Sequence, residues 1–134
     1  MLYDIATAHY MYGEETTSNG NNAYGYDDKP ILIHTVVDSG GTDSIDASSV
    51  TRSSTINLTP GTFSSIGIYT QAQQLADIEA NFGASVKSNV ATFMATLDGN
   101  AASGDAIYTG VDNVAIAAGT LIENVFGGSG DDTI

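Results

Sequence analysis

The sequence predicts an α+β fold, mainly β, in which an N-terminal helix leads into an irregular β-sandwich or the entry to a parallel β-roll. Three observations in the 134-residue chain support this prediction. Apolar residues recur at helical spacing near the start and in the middle, and β-branched apolar runs bounded by turn residues occupy two other stretches. A glycine-aspartate segment ends the chain. The central helical stretch interrupts the β pattern, so we expect an inserted helical hairpin.

The glycine-aspartate segment at residues 127–134 reads GGSGDDTI. It matches one turn of the nonapeptide repeat GGxGxDxUx, in which U is a large apolar residue. The glycines allow the positive φ of a tight turn and leave carbonyl oxygens exposed. Asp132 adds a hard anionic oxygen, which suits Ca²⁺, and Ile134 occupies the apolar position that packs between stacked strands. Because this repeat builds calcium-binding parallel β-helices, the segment predicts a calcium site.

The first predicted segment, residues 1–13, is a helix that Gly13 ends. Leu2, Ile5 and His9 fall on one stripe at helical spacing. A glycine directly after such a stripe is typical of a helix C-terminus, where the backbone turns away from the helical conformation.

Two stretches are assigned to β structure, at residues 14–67 and 109–134, and within the first the polar, Asn- and Gly-rich residues 14–29 predict a loop. In the first, residues 31–37 form an apolar, β-branched run between a proline and a glycine-rich turn, and residues 54–58 form a shorter candidate strand. In the second, residues 121–126 form a candidate strand directly before the glycine-aspartate segment. We therefore expect the two stretches to be the first and second parts of one β structure.

Residues 68–108 change character and predict two helices. Leu75, Ile78 and Phe82 repeat at helical spacing, and Ser85 is placed to cap a second helix that carries further apolar residues. We expect this hairpin to be inserted into the β structure, and it is the candidate element for binding a protein partner.

The charge of the chain limits its partners. Asp and Glu together number 16 against 3 Lys and Arg, which gives a net charge of -13. Bound cations relieve the self-repulsion of such a chain, whereas Lys29, Arg52 and Lys87 are too few to form a patch that binds nucleic acid. Cysteine is absent, so metal rather than disulfide is the expected staple. No apolar run reaches about 18 residues, so we expect no transmembrane segment.

Four strings occur in order along the chain: a helix, the string DSGGTDSIDAS, the string INLTPGTFSSIG and the entry to the glycine-aspartate repeat, at residues 1–13, 38–48, 56–67 and 112–132. Together they resemble the region that follows the catalytic domain in serralysin-type secreted metalloproteases, the repeats-in-toxin branch of the metzincins. The resemblance covers residues 1–67 and 109–134 but not the hairpin. It implies a calcium-binding C-terminal module of a secreted bacterial protease, with an upstream catalytic domain and further downstream repeats as partners.

The same resemblance predicts what this chain does not do alone. Catalysis in the family depends on the motif HExxHxxGxxH, whose histidines hold zinc while the glutamate activates water. The sequence contains two histidines, His9 and His34, and neither lies in such a motif. We therefore expect no catalytic residues and no peptidase activity from this chain alone.

The resemblance implies two calcium sites with named oxygen ligands. In the first, a loop provides backbone carbonyls and a later turn provides carboxylates and carbonyls; the residues are Ser18, Gly20, Asn22, Asp38, Gly40, Gly41 and Asp43. The second combines a carbonyl and a carboxylate with the final turn; the residues are Leu121, Glu123, Gly128, Gly130 and Asp132. Such sets of hard oxygens suit an ion that takes about 6–8 oxygen ligands.

Other interpretations stay open. An ordinary turn followed by a solvated acidic tail would contain the same residue types. A calcium-dependent extracellular interaction or surface-layer module, with residues 68–108 binding its partner, is the alternative to a protease module. A third alternative is an enzyme that works with a partner chain carrying the zinc site. A zinc motif upstream would favour a protease, and a long non-catalytic repeat region would favour a surface module.

Overall fold

The computed structural model describes the chain at residues 1–13, 18–28, 32–97 and 108–134. The chain divides into two compact units. Unit 1 contains Met1–Ile68 and Gly110–Ile134, and unit 2 contains Tyr69–Thr109. Unit 2 therefore interrupts the chain of unit 1 in sequence.

The described residues contain both helices and strands. Their bounds are α1 (Leu2–Tyr12), β1 (Ala23–Asp27), β2 (His34–Val36), β3 (Ser44–Ser49), β4 (Phe63–Ser64), α2 (Gln71–Phe82), α3 (Ala84–Leu97), β5 (Val114–Ile116) and β6 (Asn124–Phe126). This content confirms the α+β prediction, but the predicted loop at residues 14–29 is wrong where β1 forms. The expectation of a mainly β chain is wrong for the described residues, because the helices contain more residues than the strands.

The described strands all lie in unit 1 and form two three-stranded sheets. In the first sheet the order is β1-β3-β6, and both pairs are parallel. In the second the order is β2-β5-β4, with β2 parallel and β4 antiparallel to β5. Parallel neighbours require long connections. Each sheet therefore joins the chain before unit 2 to the chain after it.

Aliphatic side chains from both sheets fill the core of unit 1. Val36 in β2, Ile45 in β3 and Ile116 in β5 are each 0% exposed, and Val50 and Ile122 join them from the connecting segments. Each side chain of this size contributes roughly 1.5–3 kcal/mol when it is fully buried. The core therefore fixes the end of β2 and the start of β3, and residues 38–43 between them form what we call the acidic turn.

Two predicted strands are shorter than their apolar runs. Residues 31–37 contribute only β2, and residues 29–31 lie outside the described part of the chain. Residues 121–126 contribute only β6, and a turn precedes residue 121. The turn is closed by the Thr120 amide, which donates to the Ala117 carbonyl oxygen at 3.1 Å.

Residues 54–58 form isolated bridges rather than a strand. Thr55 bridges to Ser65, whereas the amide of Ser54 donates to Asp132 Oδ1 at 2.8 Å. Side chains thus take backbone donors that a strand would offer to its neighbour. Side-chain oxygens also accept from backbone amides in the acidic turn. These bonds replace strand pairing, so few residues of unit 1 lie in strands.

The helix ends follow local chemistry. In α2 a capping box joins Thr70 and Gln73, with the Gln73 amide donating to Thr70 Oγ1 at 3.2 Å and the Thr70 amide donating to Gln73 Oε1 at 2.8 Å. Gly83, at φ 88, ends α2, and its carbonyl oxygen accepts from the Lys87 amide at 3.2 Å. Because α3 begins before Ser85, the predicted cap at Ser85 is wrong. None of the helices in the described ranges is long and apolar enough to cross a membrane.

We expect Gly128→Ala to destabilise unit 1 strongly. A Cβ at Gly128 would lie 2.0 Å from the Val50 carbonyl oxygen and 3.0 Å from that of Ala47, and backbone atoms cannot move aside as a flexible side chain can. Overpacking of this kind costs about 1–3 kcal/mol or more. Gly25→Ala is the matched control, since a Cβ there meets nothing within 4 Å. Urea denaturation of both variants measures the difference, and equal stabilities would contradict the close packing at Gly128.

Candidate metal centre

The loop before β1 and the turn before β3 approach each other through their backbones. Gly41 permits this approach, since a Cβ at this position would lie 2.3 Å from the Gly20 carbonyl oxygen and 3.1 Å from Asp43 Oδ1. Its φ of 136° also lies in the region that favours glycine. The Asn22 amide donates to Asp43 Oδ1 at 2.8 Å. The structure therefore brings together the loop and the turn that were predicted to form the first site.

The Asp38 carboxylate is buried and accepts several hydrogen bonds. Its Oδ1 accepts from the Gly40 amide at 3.0 Å, and its Oδ2 accepts from the Tyr24 hydroxyl at 2.6 Å and from Asn22 Nδ2 at 3.1 Å. Burial alone would raise the pKa of Asp38, but these donors, with Tyr24 first among them, hold the pKa below its ordinary value. Asp38 is therefore an oriented, charged carboxylate at neutral pH.

Asp43 is the acid with an unsatisfied oxygen. Only 1% of the residue is exposed, and its Oδ2 has no hydrogen-bond partner among the described residues. A buried charged oxygen without a partner is costly, and a cation removes that cost. The carbonyl oxygen of Gly20 approaches Gly41 in the same turn and accepts from Asn22 Nδ2 at 2.8 Å. The residues present at this turn therefore fit a hard cation such as Ca²⁺.

The Glu123 carboxylate lies beside Asp43 rather than beside the final turn. Its Oε2 accepts from the Asp43 amide at 2.7 Å. The Asp43 carbonyl oxygen accepts in return from the amides of Glu123, at 3.3 Å, and Asn124, at 3.0 Å. Leu121, two positions before Glu123, has an exposed side chain. Glu123 therefore joins the residues of the first predicted site, although the sequence grouped it with the second.

The rest of the second predicted set forms a separate cluster. Asp132 Oδ2 accepts from the Gly128 amide at 2.7 Å, and Asp132 Oδ1 accepts from the Ser54 amide. At Gly130, a Cβ would lie 2.6 Å from the Arg52 carbonyl oxygen, so two backbones pass each other closely there. Both oxygens of Asp132 have donors. The predicted second set is thus divided between two places.

Three residues beside the acidic turn were missed by the sequence analysis. Tyr24 donates to Asp38, Thr120 Oγ1 bonds both the amide and the carbonyl of Asp38 at 3.0 Å, and Asn124 Nδ2 donates to the Asp43 carbonyl at 3.2 Å. Thr120 is 82 positions away from Asp38 in sequence, so no local spacing could have indicated the contact.

Neither histidine belongs to a metal cluster. Within the described ranges, no three His, Cys, Asp or Glu side chains gather as a metal site, and this holds for Asp38, Asp43 and Glu123 as well as for the histidines. His9 lies on α1, and His34 lies on β2 with its Nδ1 3.0 Å from the Tyr26 hydroxyl oxygen. Burial lowers the pKa of His34. A site around Asp43 would instead depend on carboxylate and carbonyl oxygens, which suit calcium better than zinc.

The Tyr24 hydroxyl predicts an alkaline transition. Burial, followed by the hydrogen bond to Asp38, raises the pKa of Tyr24 to about 12. The stabilisation from this phenol is therefore complete below the unfolded pKa of about 10 and is lost as pH rises through about 12. We expect Tyr24→Phe to be less stable than wild type near pH 8, and the gap should close between about pH 10 and 12. Tyr12→Phe, at a residue 84% exposed, is the control. Denaturant titrations across this range test it, and a constant gap would contradict it.

Comparison with known proteins adds an independent line of evidence. A family model described as the peptidase M10 serralysin C-terminal matches residues 2–106. The matched span includes α2 and α3, whereas the resemblance recognised in the sequence stops at residue 67 and resumes at residue 109.

Serralysin C of Dickeya chrysanthemi is 31% identical over 147 aligned residues, which cover 100% of this chain and 22% of that protein. Serralysin of Proteus mirabilis is 35% identical over 80 residues, which cover 50% of the chain and 16% of that protein. Metalloprotease AprA of Pseudomonas entomophila is 30% identical over 147 residues, which cover 100% of the chain and 22% of that protein. The chain thus spans about a fifth of the length of these relatives. With the family model matched over most of its residues, the chain belongs to the peptidase M10 serralysin C-terminal family.

Proposed function

We propose that the chain is a calcium-binding, non-catalytic C-terminal module of a secreted bacterial metalloprotease of the serralysin type. The carrying observation is Asp43, a buried carboxylate with one oxygen unpaired among the described residues, next to a glycine carbonyl and two further acids. Family membership supports the link to a secreted metalloprotease. The missing zinc motif supports a non-catalytic role, and an upstream catalytic domain is the partner this role requires.

The proposed ion is held by oxygens from three parts of the chain. Asp43 supplies the carboxylate oxygen that has no donor among the described residues, and Asp38 and Glu123 would add carboxylate oxygens by giving up hydrogen bonds that they now accept. Gly20 and Gly41 lie where their backbones meet. The remaining predicted ligands of the loop and turn, Ser18, Asn22 and Gly40, border the same turn. Calcium accepts about 6–8 oxygens in flexible geometry, so a mixture of carboxylates and main-chain carbonyls is a suitable ligand set.

Calcium at this turn would act on folding. The chain has a net charge of -13, and its acids repel one another most when they are brought together in the folded state. In low-calcium cytosol this cost keeps the chain loose, and outside the cell the ion neutralises the turn. Binding at a free concentration of about 100 times the dissociation constant adds about 2.7 kcal/mol per site. That is a large share of the roughly 5–15 kcal/mol that stabilises a typical domain.

We also propose that unit 1 is the entry to a parallel β-roll. Support comes from the parallel order β1-β3-β6 and from the final segment, which follows the repeat pattern and runs beside residues 47–54. The downstream repeats expected from the sequence would continue such a stack. In this proposal Gly128, Gly130 and Asp132 belong to the first turn of the array, and a following turn would supply the rest of their ligands.

A role in binding a protein partner remains the second candidate function for residues 68–108. The observation that favours it is the exposure of two aromatic side chains on the described helices, Phe82 at 70% and Phe93 at 56%. Large exposed apolar groups are common at interaction sites when they form a patch. Truncation of the hairpin and a loss of partner binding without a loss of calcium binding would separate this function from the first.

We expect calcium to raise the melting temperature of the chain by about 10 °C at saturation, given about 2.7 kcal/mol per site and the unfolding entropy of a chain this long. Circular dichroism melts in calcium and in chelator measure the shift. Magnesium at the same concentration is the control, because it screens charge equally but demands a small octahedral site. Identical melting temperatures in calcium and in chelator would contradict the proposed calcium-binding function.

Asp43→Asn should lower calcium affinity by at least about tenfold, since the charge of the ligands sets the affinity of such sites. Asp4→Asn removes the same charge from a side chain that is 87% exposed and lies on α1, so it controls for net charge. Calorimetric calcium titration of both variants separates a local ligand from a general electrostatic effect. Equal affinities of the two variants would show that the turn at Asp43 does not bind the ion.

A further inference from the structure

The Thr120 hydroxyl satisfies both main-chain groups of Asp38. The residue is 2% exposed, and its Oγ1 accepts from the Asp38 amide and donates to the Asp38 carbonyl oxygen, both at 3.0 Å. A hydroxyl can donate one proton, and the Thr120 hydroxyl donates it to the Asp38 carbonyl oxygen. Removing the hydroxyl would leave an amide and a carbonyl buried without partners, which costs more than the bonds themselves contribute.

This contact continues the second sheet beyond its last strand pair. The ladder between β2 and β5 ends with the Ala117 amide, which donates to the Val36 carbonyl oxygen at 2.9 Å. The chain then turns at Gly119, with φ 88, and cannot run on as a strand. Thr120 follows that turn and offers its side chain where a strand would have offered its backbone. Asp38 is thus held in register by a side chain.

The segment that begins with Thr120 also holds the other acid of the turn. The amides of Glu123 and Asn124 donate to the Asp43 carbonyl oxygen, and the Asp43 amide donates to Glu123 Oε2. One short segment therefore fixes the main chain of Asp38 at one end of the turn and that of Asp43 at the other. The spacing between the two carboxylates depends on both attachments.

We propose that Thr120 is a positioning residue for the calcium site, and this inference rests on the proposed calcium binding. Thr120 is not one of the proposed calcium ligands, because its hydroxyl bonds the Asp38 main chain. It holds the Asp38 main chain in place before the ion binds. The Asp38 carboxylate therefore does not have to become ordered when calcium arrives. Residues that orient metal ligands in this way typically change affinity by about 10–100-fold when they are removed.

The chain contains a matched control for this contact. Ser64, also 2% exposed, makes the same pair of bonds to one residue: its Oγ accepts from the Asn57 amide at 2.9 Å and donates to the Asn57 carbonyl at 3.3 Å. Neither residue belongs to the acidic turn. Loss of the Ser64 hydroxyl should therefore destabilise the fold without changing the affinity for calcium.

Calorimetric calcium titration of wild type, Thr120→Val, Thr120→Ser and Ser64→Ala tests the proposal. We expect about 10–100-fold weaker binding for Thr120→Val, which keeps the shape and removes the hydroxyl. Thr120→Ser should rescue the affinity to within about twofold, since it retains both hydrogen bonds. Ser64→Ala should bind as wild type does. Equal affinity of Thr120→Val and wild type overturns the inference, and so does an equal loss in Ser64→Ala. Absence of binding by wild type is a different result, because it removes the proposed function itself.

Amide hydrogen exchange of the wild-type chain gives a second measurement that does not require any variant to fold. If Thr120 couples the turn to the ion, calcium should slow the exchange of the Asp38 amide more than that of the Asn57 amide. The two amides share the same type of bond to a buried hydroxyl, so general stabilisation would slow both alike. Equal slowing of the two amides overturns the inference even if Thr120→Val does not fold.

Discussion

The fold of unit 1 depends on one buried carboxylate, that of Asp43. Its Oδ1 accepts from the Asn22 amide, its main-chain amide donates to Glu123 Oε2, and its carbonyl oxygen accepts from the amides of Glu123 and Asn124. Three segments that are distant in sequence therefore meet at this residue. The position also directs β3 into the centre of its sheet, with β1 on one side and β6 on the other. The carboxylate accepts one hydrogen bond, from the Asn22 amide, and its second oxygen is left for a further partner.

Because the chain has many more acidic than basic residues, the carboxylates of the acidic turn are held by amides rather than by ion pairs. Asp38, Asp43 and Glu123 are drawn to one turn by amide donors rather than by basic side chains, which the chain hardly has. The ion pair of Arg52 with Asp28, 3.2 Å apart, lies elsewhere in the unit. Amides orient carboxylates but do not neutralise them. A divalent cation supplies the missing charge, and it does so at the place where the acids are already oriented.

The sequence predicts the parts of this molecule whose signals are local. The helix end at Gly13 follows from glycine placement, and the turn from Asp38 to Asp43 follows from its glycine pair. Strand lengths were overestimated because side chains, not neighbouring strands, take the amides of residues such as Ser54. The pairing of Glu123 with Asp43 could not be predicted from spacing, because 80 residues and the whole of unit 2 separate the two positions.

The two predicted calcium sites of unit 1 differ in the hydrogen bonds that their carboxylates already make. Asp132 has a donor for each oxygen, from Gly128 and from Ser54, so in this chain its carboxylate clamps two backbone segments without a metal ion. A cation there would have to compete with hydrogen bonds already made. Asp43 has one oxygen with no donor among the described residues, so a cation can bind that oxygen without displacing a hydrogen bond, although contact with Asp38 would replace bonds that Asp38 already accepts. If calcium binds to this chain, the turn at Asp43 should therefore fill first. The glycine-aspartate repeat, the more recognisable motif in the sequence, should come second, because its ligand set is complete only when another turn stacks on it.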